Sequence, residues 1–217
     1  VQSDLLADAE IEEEWEQYQS DIDLESDYYK ESPTYSLQNA VVDGRTLSGD
    51  QEKSTLFLER LFSLIQDDGY VAQLFPGILF SGGSNKSLRY HLLDNADVQH
   101  IVGFENNKIF NSIDNRKKFA IVNFKASGTS DGFNGVFMKR DVDFLRKVEE
   151  HLVWIPKELL INYAPESGLF PFITSTTHRD VLNKLLRNPQ LREKTDNGWY
   201  LDLYRELDRT SDKDRFV

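Results

Sequence analysis

Residues 54–76 read STLFLERLFSLIQDDGYVAQLFP. Leu56, Leu58, Leu61, Phe62, Leu64 and Ile65 crowd the first half at spacings that suit a buried helix. Asp67-Asp68-Gly69 supplies a glycine stop. Tyr70 to Phe75 then reads as a strand, ended by Pro76-Gly77. A helix over 54–66 thus runs straight into a strand over 70–75, and the same alternation continues along the chain. Residues 84–93 (SNKSLRYHLL) predict a second helix, with Ser84 as its cap. Residues 98–104 (VQHIVGF) predict a second strand. Residues 118–125 (KFAIVNFK) form a nearly continuous apolar run suited to a central strand, and 132–138 (GFNGVFM) predict a fourth. The rhythm is that of an α/β sheet with flanking helices. Three to four strands make a thin sheet, whose edge wants a neighbour and offers a route to homo-oligomers.

On the N-terminal side, apolar or aromatic residues recur every three to four positions over 4–30: Leu5, Leu6, Ile11, Trp15, Tyr18, Ile22 and Leu24. Carboxylates fill the gaps. This predicts a long acidic amphipathic helix in need of a partner surface, with Asp4 as its cap. Residues 31–51, with Pro33 and two glycines, read as a linker. On the C-terminal side, 141–151 predict a short helix and 154–167 a proline-bracketed stretch. A helix over 177–187 capped near Thr176 and a strand over 198–205 come next. The expected organisation is an acidic helix and linker (1–51), an α/β unit (52–140) and a mixed helix–strand segment (141–217).

The net charge of −12 is unevenly spread. Residues 1–53 carry 15 Asp and Glu against Lys30, Arg45 and Lys53, whereas 54–217 carry 22 acids and 22 bases. The acidic pI therefore does not argue against a local basic face on the body. The acidic segment reads either as a solvated helix and linker or as a cover over a basic groove. The chain has no cysteine, which excludes disulfides and thiolate metal sites. Its four histidines are scattered, so no metal site is expected. No run approaches the about 18 apolar residues of a membrane span. The acidic start has not the composition of a signal or transit peptide. No membrane is expected, and the cytoplasm is the expected compartment.

Four stretches, in this order, resemble the region following the catalytic motif in large adenine-N6 DNA methyltransferases of type IIG restriction–modification and related phage-defence systems. They are the helix–strand pair at 55–76, LRYHLL at 88–93, GFENNKIFNSIDNRKKFAIVNFK at 103–125 and YRELDRTSDKDRF at 204–216. The third is the most specific, because Phe-Glu-Asn, Ile-Phe and Ile-Asp-x-Arg-x-Lys-Phe coincide at fixed spacing. The resemblance implies a partial Rossmann-like methyltransferase sheet and double-stranded DNA as partner. It implies S-adenosylmethionine as cofactor of the complete enzyme, and none in this chain.

The chain departs from that family where the chemistry lies. Its six prolines include no adjacent pair, so the Asn/Asp-Pro-Pro-aromatic motif that grips the target adenine is not in it. No Gly-x-Gly occurs either, so the cofactor turn is not in it. The expectation is a fragment, or a protein working with a separate N-terminal methyltransferase half, that has no catalytic residue and does not methylate alone. Two rivals stand beside it: a non-catalytic DNA reader and a protein-interaction module.

The resemblance places Phe119 as an aromatic wall against a flipped base. The plain alternative is that it opens a core strand. Lys108, Asp114, Asn115, Arg116, Lys117 and Lys118 belong to a loop that would meet DNA phosphates, with Asp114 orienting Arg116. The alternative is solvated loop residues. Arg205, Thr210 and Asp212 resemble a connector towards target recognition. Lys86 and Arg89, three residues apart on a helix, read as its wet side or as DNA contacts.

Overall fold

The computed structural model describes residues 8–42, 44–47, 52–190, 196, 200 and 201. The chain divides into two compact units, Val1–Arg179 and Asp180–Val217. The second is described over 180–190 and three isolated positions. Arg205, Thr210, Asp212 and most of the strand expected at 198–205 lie outside the described residues. Tyr200 and Leu201 have no regular secondary structure.

The first element among the described residues of unit 1 is helix α1 (Ala9–Glu31). Asp4, expected as its cap, lies outside the described residues; Asp8 caps Ala9–Glu31, its carboxylate accepting from the Glu10 N–H. No residue of α1 is buried. Within the stretch read as a linker, the described residues 33–38, 40–42 and 45–47 carry regular structure. A 3-10 helix (Pro33–Gln38) is followed by a hairpin of β1 (Ala40–Val42) and β2 (Arg45–Leu47). Buried Glu59 explains why. One carboxylate oxygen accepts from the Leu37 N–H at 2.9 Å and the other from Gln38 Nε2 at 2.7 Å. Thr55 Oγ1 donates to Gln38 Oε1 at 3.2 Å. A buried carboxylate is tolerated because it is hydrogen-bonded, and its partners fasten the segment to the next helix.

That helix, α2, runs Lys53–Leu64. The expected glycine stop is a different device. The helix closes with the Ile65 N–H on Leu61 O, and Asp68, not Gly69, takes the left-handed conformation at φ 66°. Asp68 is held there by Lys125 Nζ at 2.7 Å and Ser127 Oγ at 2.6 Å. Strand β3 (Tyr70–Pro76) follows, then α3 (Ile78–Ser81) and α4 (Lys86–Asn95). Ser84 does not cap α4: it lies in a 3-10 turn over Gly83–Asn85, and Asn85 at the cap makes no side-chain capping bond.

The sheet has five strands, one more than expected: β3, β4 (Asp97–Glu105), β5 (Lys118–Lys125), β6 (Gly132–Lys139) and β7 (Val153–Pro156). Their order is β3-β5-β4-β6-β7, and only β4 and β6 pair in parallel. The fold is α/β, with a mixed sheet and flanking helices. Alternate residues of β5, Ala120, Val122 and Phe124, are buried while their neighbours are half-buried, so β5 is central but two-faced. Phe62 of α2 stacks on Phe124, Phe80 of α3 meets Phe137, and Phe170 meets Phe133. On the other face Val102, Phe104 and Val136 form a small cluster under Phe144, Val148 and Leu152. Phe144 and Val148 come from the short helix expected here, which is a 3-10 segment, Val142–Glu150. The proline-bracketed stretch resolves into β7 and α5 (Lys157–Tyr163). The last helix among the described residues, α6 (Thr176–Leu185), has the Ser175 hydroxyl accepting from the His178 N–H in its first turn.

Candidate functional site

β3 ends where β5 begins, and Pro76 lies opposite Phe119 in the ladder. The chain then turns back on itself. The Gly77 N–H donates to Lys118 O at 2.6 Å, and a Cβ on Gly77 would lie 2.7 Å from the Lys118 Cβ. A side chain has no room there, so glycine is required by the close approach. The turn sets α3 beside the loop joining β4 to β5. Between them opens a cavity of about 540 Å³.

The cavity has an apolar wall and a cationic rim. Leu74, Ile78, Phe110, Ile113 and Phe119 give the wall. Arg116, Lys117 and Lys118 give the rim, with Glu52 and Ser81 as further polar groups. Phe119 serves two ends. Its ring stacks on Phe104, centroids 5.3 Å apart and planes 13° from parallel, and Phe110 meets it edge-on at 5.0 Å. It is at once a half-buried strand residue and a wall of the cavity. Lys118 also holds its ammonium 5.8 Å from the centre of the Phe172 ring.

Asn106 organises the loop, and sequence reasoning missed it. It is fully buried at the end of β4. Its Nδ2 donates to Phe110 O at 3.0 Å, Ile113 O at 2.8 Å and, more weakly, Asp114 O at 3.3 Å. Its Oδ1 accepts from the Phe110 N–H at 2.8 Å, and its own N–H donates to Lys117 O at 2.8 Å. One side chain thus closes the loop from inside. The aromatic and aliphatic wall residues of this loop, Phe110 and Ile113, sit in the stretch quoted for the resemblance. Their apolar character in a polar loop was the signal that could have marked them.

Of the expected site residues, Phe119, Arg116, Lys117 and Lys118 meet at the cavity. Lys108 and Asn115 do not line it. Lys108 adopts a left-handed φ of 62°, and its N–H meets Asn106 O at 2.6 Å and Asn115 Oδ1 at 3.2 Å. Asp114 does hold Arg116. Arg116 Nε lies 3.1 Å from Oδ1 and Nη2 2.6 Å from Oδ2, and the Asp114 carboxylate also accepts from the Arg116 N–H at 2.8 Å. The guanidinium holds the Asp114 carboxyl well below the usual carboxylate range, and the carboxylate in turn raises the Arg116 pKa. The pair stands in open solvent, so its value is orientation rather than stability.

Arg89 contradicts both readings offered for it. It is fully buried and faces neither DNA nor water. Its guanidinium donates to four carbonyls: Gly168 O at 2.7 Å, Ser167 O at 2.7 Å, Leu79 O at 2.6 Å and Gly82 O at 2.7 Å. Burial brings its pKa down to about 10. By tying the end of α3 to the 167–168 segment it holds the helix that carries Ile78 and Ser81. Lys86 reaches Val41 O at 3.3 Å. Among the described residues, no three His, Cys, Asp or Glu side chains gather as metal ligands, and no helix is long and apolar enough to cross a membrane.

No family model matches the sequence, and no curated protein matches it. Solved structures do. The M protein of the type I restriction enzyme EcoKI is 13% identical over 68% of this chain and 44% of its own, with a TM-score of 0.45. The methyltransferase subunit of a type I restriction-modification system from Streptococcus thermophilus is 16% identical over 65% of this chain and 33% of its own, with a TM-score of 0.45. The type IIG restriction endonuclease BpuSI is 18% identical over 58% of this chain and 17% of its own, with a TM-score of 0.40. The chain spans less than half the length of each.

Proposed function

We propose that this chain is part of the catalytic domain of a DNA adenine-N6 methyltransferase of a restriction–modification system. It supplies one wall of the pocket for an extruded base and a loop that meets the DNA backbone. The observation that supports this reading is the meeting of Phe119, Arg116, Lys117 and Lys118 at one cavity. A flat apolar ring beside a cluster of cations suits an unstacked base with its phosphates. The fixed spacings over 103–125 support the same reading from the sequence side.

On this reading no residue of this chain holds S-adenosylmethionine. The cofactor and the catalytic Asn-Pro-Pro-aromatic motif belong, on this reading, to a methyltransferase half outside this sequence. On this reading the chain alone does not methylate. The connector role of Arg205, Thr210 and Asp212 is part of the same proposal.

The test is duplex DNA binding by the chain with Arg116→Glu and Lys118→Glu. Affinity should fall by about tenfold or more, and the salt dependence of log K should flatten by roughly 0.9 for each lost phosphate contact. Phe119→Ala should weaken binding to a duplex with an unpaired adenine more than to a fully paired one. Equal affinity before and after the charge reversals would sink the DNA-facing reading and leave the chain as a protein-interaction module.

A further inference from the structure

α1 has a face that nothing among the described residues covers. Ile11, Trp15, Tyr18 and Ile22 are 40%, 38%, 56% and 45% exposed. Their spacing of four, three and four puts them on one stripe, within about 60° of the circumference at ~100° per residue. Tyr29 continues that stripe, and at this end α1 meets the body: the Tyr29 and Tyr28 rings lie edge-on to Tyr35 at 5.0 and 6.1 Å, and Asn39 Nδ2 donates to Lys30 O at 2.7 Å. The stripe is therefore an extension of an existing packing face. From Ile11 to Ile22 it runs about 16 Å along the axis at ~1.5 Å per residue.

Charge says what can cover it. Residues 9–31 hold ten carboxylates and Lys30. Glu14 and Asp21 flank the stripe on one side, Glu12 and Asp23 on the other. A second copy of α1 would set carboxylates against carboxylates along its whole length, and an anionic membrane surface would be repelled equally. A surface with an apolar ridge bordered by Lys and Arg satisfies both the stripe and its flanks, as the a/d seam and e/g positions of paired helices do.

We propose that the Ile11–Ile22 face of α1 docks a basic amphipathic helix of another protein. The aromatic pair Trp15–Tyr18, with centroids 5.8 Å apart, is the anchor. Tyr and Trp are the residues that most often dominate such contacts. The flanking acids steer the encounter and select against acidic helices.

The experiment uses the whole 217-residue chain and a synthetic helix with Leu and Ile at a/d positions and Lys and Arg at e/g, against the same peptide with e/g changed to Glu. Binding is read by anisotropy of the labelled peptide, at low and high salt. The basic peptide should bind and the acidic one should not. Trp15→Ala with Ile22→Ala should weaken binding about tenfold or more, with the helix content by circular dichroism unchanged, because both side chains are exposed and alanine favours helix. High salt should weaken it further. No binding by the basic peptide overturns the proposal. So does binding that is indifferent to the two alanines, which would reduce the contact to charge alone. Self-association of the chain that is lost in the same double variant would assign the stripe to a second copy instead.

Discussion

Arg89 shows what a single residue contributes when burial and hydrogen bonding are both complete. A buried cation without a carboxylate partner is costly. Here four carbonyls take the place of the anion, all within 2.7 Å. Arg89→Ala should leave these carbonyls unmatched and a cavity behind, lowering stability by about 3–5 kcal/mol. Arg89→Lys keeps the charge but cannot span four acceptors from one ammonium, so it should recover little of the loss. Thermal melts decide it; a loss under about 1 kcal/mol for the alanine variant would mean water replaces the guanidinium freely. The sequence did contain a hint. Arg89 precedes buried Leu92 and Leu93 by three and four positions, which puts it on their face of α4. Reading it as part of a polar surface gives residue type more weight than helical phase.

At the scale of elements, the parts legible in the sequence share a physical cause. β3, β4, β5 and β6 are runs of β-branched and aromatic residues long enough to declare themselves, and their bounds differ from expectation by at most a residue or two. β7 escapes notice because it has four residues and ends in proline. The 3-10 helix before the β1–β2 hairpin escapes it because its order comes from Glu59 and Thr55, more than a dozen residues along the chain. Periodicity records only what an element does with its own face. The β4–β5 loop is legible as a loop rich in cations, yet its architecture rests on Asn106, whose role no local pattern discloses. Asn106→Asp keeps the shape and the acceptor but removes the donor to Phe110, Ile113 and Asp114. Amide exchange over 107–116 should then accelerate by about tenfold or more, with β4 and β5 little changed, since local opening can be separated from global unfolding. Uniform acceleration across the sheet, or none, would show that the loop is held by something other than this side chain.

At the scale of the molecule, opposite charges sit in one chain with different partners proposed for each. α1 carries a large share of the acidic excess of a chain whose net charge is −12, while the cavity rim presents Arg116, Lys117 and Lys118. If DNA meets that rim, the acids of α1 repel it over a distance set by the Debye length, ~10 Å at about 0.1 M salt. Neutralising Glu12, Glu13, Glu16 and Asp23 to Gln and Asn removes four negative charges without touching the sheet or the cavity. None of these residues is buried, so the fold should hold. DNA affinity should then rise about three- to tenfold at low salt and converge with the parent at high salt, because exposed charges act through a screened field. The same variant should lose affinity for the basic helix. A change of opposite sign for the two ligands would identify α1 as an element that favours a basic protein partner at the expense of DNA. If both affinities fall together, the acids of α1 stabilise the chain's own structure, and neither electrostatic argument survives.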